Sequence, residues 1–141
     1  MTDWRSKVVF AHLDEPPFCF RADGRSSGCD VDVARAVLGV IGVQEFEPVI
    51  VDFSDLIPGL VACRWMMTTG LFITPVRREL VDFSRPIWAL PDGLLVKAGN
   101  PKRLTDYVSI AADRAVTLGI VKDQVQRDTA LAAGVAAARI R

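Results

Sequence analysis

Thr68-Thr69-Gly70-Leu71-Phe72-Ile73-Thr74-Pro75-Val76-Arg77 is the stretch that decides how this chain folds. Trp65–Thr69 is β-prone and ends in two hydroxyls, and Gly70 marks a turn. Thr74-Pro75 then reads as a helix start, an N-cap hydroxyl followed by proline at the first helical position, in a helix expected to reach about Leu80. A strand passing through a short loop into a helix is one step of an α/β sheet, and ligands bind at the C-terminal edge of such strands. Arg77 falls in the helix's first turn, against the macrodipole, where amide N–H groups already attract anions. A guanidinium there suits bidentate capture of a carboxylate. A solvated arginine beside a purely structural cap is the competing reading.

Upstream, the same alternation appears. Lys7–His12 reads as a buried strand, and Pro16-Pro17 force an extended loop. Phe18–Arg21 and Ser27–Cys29 flank Ala22-Asp23-Gly24-Arg25 as a short hairpin. Asp30 is placed to cap a helix over Val31–Val40, with Val33, Val37, Val40, Ala34 and Leu38 as its apolar stripe. Phe46–Asp52 is a second strand with Pro48 near its start, and Ser54 or Asp55 opens a short helix to Leu60. Downstream, Val81–Phe83 and Gly93–Ala98 read as extended, Thr105–Ala112 as helical and Ala115–Ile120 as a strand. Val125–Ala133 is the last helix, with Gly134 as its stop. The fold class is α/β with a largely parallel sheet.

The 141 residues suffice for about one domain, and half of them are hydrophobic. Lysine plus arginine and aspartate plus glutamate number 17 each, so the net charge is zero. That balance argues against electrostatic capture of nucleic acid as the main function. A single histidine and three cysteines outside any metal-spacing motif argue against a zinc site, and no cofactor motif is present. Cys19, Cys29 and Cys63 read as buried thiols, with a Cys19–Cys29 bridge as the alternative in an exported protein. No apolar run reaches the ~18 residues of a membrane span, and charges interrupt residues 1–7 where a signal peptide would need an apolar core.

Phe53 follows the second strand and Phe72 the third, so both can line one cleft and face a cationic nitrogen; core packing is the alternative. Asp14 and Glu15 follow the first strand at the same edge. His12 has no evident serine or cysteine partner in the sequence and reads as a satisfied, partly buried histidine, so no catalytic residue is assigned.

Taken together, Pro17-Phe18, Gly28-Cys29-Asp30-Val31-Asp32-Val33-Ala34, Phe53–Leu60, Ile73–Arg77 and Val81–Ser84 resemble the pattern of family 3 solute-binding proteins. These are the polar amino-acid receptors of ABC importers, with the type II periplasmic-binding-protein fold. Gly70-Leu71-Phe72 and Lys97–Pro101 resemble most the ectoine and hydroxyectoine binders within that family. The resemblance implies one nearly complete lobe over 1–92, lacking its returning segment, and part of a second over 93–141. It implies a small zwitterionic solute, such as an amino acid or an ectoine-like compatible solute, and a membrane permease as partner. Arg77 would hold the carboxylate with the Gly70 and Phe72 backbone and the Thr69 hydroxyl. Phe53 and Phe72 would flank the ligand, and Glu15 stands where the family often has an aromatic. Lys122–Gln126 would contribute from the second lobe. Location would be periplasmic, or cytoplasmic if residues 1–141 are the whole gene product. Cys63, Met66, Asp123 and Val125 depart from the pattern, which keeps a second reading open: a truncated remnant, or a domain that completes itself as a homodimer. A dehydratase acting on cyclic acids, as in relatives of this fold, is a third, with Glu15 or His12 as its acid. On the binding reading, Arg77→Ala abolishes binding and leaves the melting curve of the empty protein nearly unchanged.

Overall fold

The computed structural model describes residues 3–141, which divide into two units, one ending at Arg85 and the next beginning at Pro86. The expected break lay between Asp92 and Gly93; Ser84–Asp92 carries no helix or strand to mark an edge.

In the first unit β1 (Lys7–His12) lies between β4 (Glu45–Ile50) and β5 (Met67–Thr68), both parallel to it. Pro48 sits mid-strand rather than at the start, and β4 tolerates it because only one of its edges is paired. The third strand is shorter than expected: Trp65 and Met66 lead into it, and only Met67 and Thr68 pair with Phe10 and Ala11. The hairpin forms from β2 (Phe20–Ala22) and β3 (Arg25–Ser27). Asp23 and Gly24 both take positive φ, 49° and 74°, as a two-residue type I′ connection requires.

Helix α1 spans Cys29–Val40 and begins differently from expectation. Gly28, with φ 115°, occupies the N-cap, and a Cβ there would lie 2.3 Å from the Phe18 carbonyl oxygen, so only glycine admits this approach. Asp30 lies inside the helix and is buried. The core stripe is Val31, Ala34 and Leu38, whereas Val37 and Val40 are exposed on another face. A 3₁₀ turn at Phe53–Asp55 leads into α2 (Leu56–Val61). Trp65 lies against Gly59, and its Nε1 donates to the Leu56 carbonyl at 2.9 Å. Phe10, Ala11, Leu13, Cys19, Val31, Ala34, Leu56 and Trp65 form the core of this unit.

The Thr74-Pro75 helix start is present as read: Thr74 Oγ1 accepts from the Arg77 amide at 3.2 Å, and Pro75 opens α3 (Pro75–Arg78), which stops short of Leu80. Val81–Phe83 is a loop. All three cysteines are free thiols; Cys19 is buried, Cys29 half-buried and Cys63 exposed. The Cys19–Cys29 bridge is therefore absent, and burial pushes the Cys19 thiol pKa up.

The second unit is built on α4 (Tyr107–Ala112) and α5 (Gln126–Ala132), which bury Ile110, Ala130 and Val135. Asp106 and Ser109 form a reciprocal capping box at the start of α4. At the end of α5, Gly134 (φ 93°) and Val135 donate to the Leu131 and Ala130 carbonyls, a Schellman closure. The Arg139 guanidinium caps the carbonyls of Ile110, Ala111, Asp113 and Val116. Neither expected strand of this unit forms. Gly93–Ala98 keeps a strand's alternation, with Leu94 and Val96 half-buried and Leu95 wholly exposed, but pairs with no strand among the described residues. Ala115–Ile120 reduces to one parallel bridge between Leu118 and Ile140.

Candidate functional site

Parallel pairing sets His12 opposite Ile50 and Ala11 opposite Thr68, so the three strands of the first unit end at one level. The loops carrying Phe53 and Thr69–Thr74 start from that edge, as the sequence reading required.

Arg77 is its centre. The side chain is only 9% exposed, Nη1 donates to the Phe72 carbonyl at 2.9 Å, and the guanidinium lies 5.5 Å from the Phe53 ring centroid. The solvated-arginine alternative therefore fails. Burial lowers the Arg77 pKa, yet a guanidinium stays protonated at any physiological pH. The result is a largely desolvated guanidinium in contact with a carbonyl and an aromatic face.

Phe53 is half-buried, packs against the core as the alternative reading had it, and also meets the Arg77 guanidinium. Phe72, in the loop between β5 and α3, is 37% exposed and supplies an open aromatic surface. Gly70 takes φ 80°, with the Leu13 side chain 3.4 Å from where a Cβ would stand. Glu15 is exposed, and its main chain pairs with Cys19.

Thr69 behaves differently from expectation. Its hydroxyl donates to Asp30 Oδ2, so the proton meant for a ligand carboxylate is committed to a protein carboxylate. Thr69 Oγ1 is left with lone pairs, which suit an N–H donor. Sequence reasoning missed Asp30 because it took the residue for a helix cap. An acid preceding Val31 and Ala34 on the buried face was the available signal.

His12 is fully buried, with Nδ1 donating to the Leu13 carbonyl and Nε2 accepting from Ser26 Oγ, both at 2.7 Å. The serine partner unseen in the sequence is supplied by β3, and the bond ties the hairpin to the end of β1. Among the described residues no group of three His, Cys, Asp or Glu side chains is placed to hold a metal. No helix among them is long and apolar enough to cross a membrane.

A parallel sheet whose C-terminal edge gathers a buried arginine, a capped short helix and open aromatic surface defines a binding lobe of the type II periplasmic-binding-protein class. The chain belongs to the bacterial extracellular solute-binding proteins, family 3, whose sequence profile matches residues 8–138. It is 34% identical over 131 residues to a probable amino-acid ABC transporter periplasmic-binding protein, y4tE, of Sinorhizobium fredii (strain NBRC 101917 / NGR234), covering 90% of this chain and 44% of that one. Among solved structures it is similar to EhuB in complex with hydroxyectoine, at TM-score 0.77 and 33% identity over 96% of this chain and 53% of the other. It is also similar to domain 1 of TmArgBP in its arginine-bound form, at TM-score 0.51 and 33% identity over 58% of this chain and 67% of that one. The chain thus spans about half the length of y4tE and EhuB.

Proposed function

We propose that the first unit carries the carboxylate-holding part of a receptor site for a small zwitterionic solute, an amino acid or an ectoine-like compound, in an ABC import system. One observation carries the reading: Arg77 is buried, held by the Phe72 carbonyl and flanked by Phe53. A guanidinium at the C-terminal edge of a parallel sheet has the planar donor fork that matches a ligand carboxylate. The Thr69 oxygen, with Asp30 behind it, offers an acceptor for that cationic end, and the Phe72 face suits an alkylated or ring nitrogen.

The relatives favour this chemistry. EhuB is described with hydroxyectoine, and domain 1 of TmArgBP, a single domain, is described in an arginine-bound form. Family membership supports a membrane permease as partner and an extracytoplasmic location. Binding is preferred over dehydratase chemistry, although an ancestral cyclohexadienyl dehydratase is among the similar structures. Of the two candidate acids, His12 has both nitrogens occupied and no exposed surface with which to move a substrate proton, which leaves that chemistry to Glu15 alone.

The test is a thermal melt against arginine, glutamine, ectoine, hydroxyectoine and glycine betaine. A ligand at one hundred times its Kd adds about 2.7 kcal/mol. Each kilocalorie moves the midpoint of a 60–100-residue cooperative unit by about 4–8 °C. A large shift with one of these solutes supports the reading. A cooperative melt that ignores all of them overturns it and favours the self-completing homodimer, which sedimentation would then reveal.

A further inference from the structure

A second concavity on the first unit shares no lining residue with the Arg77 site. Arg21 and Ser26, opposite one another across the hairpin, join Arg25, Arg35 of α1 and Pro48 and Val49 of β4 around a cavity of about 580 Å³. Three arginines line it and no carboxylate does, in a chain whose net charge is zero. Asp32 offsets Arg35 at 2.9 Å, and the Arg35 guanidinium lies 5.4 Å from the Phe46 ring centroid. Arg21 and Arg25 make no ion pair among the described residues. Asp14, the nearby acid, accepts from the Arg21 backbone N–H at 3.4 Å rather than from its guanidinium.

The walls are preorganised. Ser26 is fixed by its bond to the fully buried His12, the hairpin closes through a tight turn, and α1 and β4 are regular elements. Because the Ser26 proton is committed to His12, hydrogen-bond donation into the cavity falls to the guanidinium groups. Like charges around one concavity repel each other, and a bound anion relieves that repulsion. Two guanidinium groups without a counter-ion match a phosphate monoester, which carries about −1.5 to −2 charge at neutral pH, better than a single carboxylate. The cavity has room for more than a bare phosphate, and Pro48 and Val49 give it an apolar side. We infer that Arg21, Arg25 and Arg35 form a binding site for an organic phosphate monoester.

The experiment is a ¹H–¹⁵N amide titration of the whole chain with glycerol 1-phosphate, with sodium acetate and sodium chloride at matched ionic strength beside it. Expected are saturable shifts at residues 21–26, 49 and 50, with acetate at least tenfold weaker. Arg21→Ala/Arg25→Ala should weaken the phosphate at least tenfold, and Arg114→Ala, in the second unit, should not change it. If the double variant loses its amide dispersion, Arg25→Gln alone replaces it, with a loss of at least threefold expected. Co-sedimentation with phosphatidylcholine vesicles containing phosphatidic acid separates the sources. Capture that the double variant loses identifies a lipid headgroup; glycerol phosphate binding without capture identifies a soluble phosphate. Shifts that rise linearly without saturating, that chloride reproduces, or that survive loss of both arginines overturn the inference. None of these results bears on the zwitterion site, whose residues give separate resonances.

Discussion

Replacing Arg77 tests the proposed function most directly. In Arg77→Ala a ligand carboxylate loses both its counter-charge and a two-pronged donor. A hydrogen bond to a charged group contributes about 1.5–3 kcal/mol, and truncating one partner of a buried charged pair costs about 2–5 kcal/mol. With Arg77 only 9% exposed, solvent cannot replace the lost group, so about 3–4 kcal/mol is expected. At about 1.4 kcal/mol per decade that weakens Kd by roughly 100–1000-fold. Arg77→Lys keeps the charge and loses the fork, and should fall between, at roughly tenfold to thirtyfold. The structure also revises the expectation that the empty protein is indifferent to this change. Arg77 Nη1 satisfies the Phe72 carbonyl, and withdrawing it should cost about 1–3 kcal/mol of stability. Affinity is therefore measured by isothermal calorimetry at a temperature where circular dichroism finds each variant folded. The solute used is the one that gives the largest thermal shift with the unaltered chain. A folded Arg77→Ala protein whose Kd stays within about twofold of the parent would refute the assignment.

Three further outcomes follow from the same geometry. Thr69→Val removes the hydroxyl from the buried Asp30 carboxylate and should lower the urea midpoint by an amount worth about 1–3 kcal/mol, while Thr69→Ser restores it; equal midpoints would contradict the Thr69–Asp30 bond. Gly59→Ala places a Cβ 1.8 Å from Trp65 Cζ2, so the indole must leave its site. The loss should approach that of deleting the side chain, about 3–5 kcal/mol, and an unshifted melt would show that the helix can yield instead. Tyr107 is the only tyrosine, and burial, then the hydrogen bond and charge of Asp92, push its pKa up to about 12. The folded chain holds the phenolic proton more tightly than the unfolded one, so this contribution is complete below pH ~10 and is lost as pH rises toward 12. Absorbance at the tyrosinate band should titrate near 12, and lower in Asp92→Asn; a midpoint near 10 in the parent chain would contradict the contact.

What could be read in advance was what local chemistry determines. Thr74 and Pro75 specify a helix start within three residues, and Asp23-Gly24 specify a turn by the φ values they tolerate. Placing Arg77 and the two phenylalanines at one edge needed only the order of strands. Contacts across long separations were not legible. Asp30 meets Thr69 across 39 residues and His12 meets Ser26 across 14, and no periodicity encodes either. Val37 and Val40 show the limit of counting apolar residues, since the spacing defines two faces and only packing chooses the one with Val31, Ala34 and Leu38. Gly93–Ala98 shows the same for strands: its alternation is present, but a strand also requires a neighbour.

The notch that Gly59 leaves for Trp65 also equips the chain with a native fluorophore. Trp65 is 6% exposed, whereas Trp4 and Trp88 are 47% and 48% exposed. Iodide should therefore quench Trp4 and Trp88 and leave a blue-shifted residual emission that comes from Trp65 alone. Trp65 belongs to the core cluster against which Phe53 packs, and the Phe53 ring meets Arg77, so loosening of the candidate site should be visible in that residual light without any label.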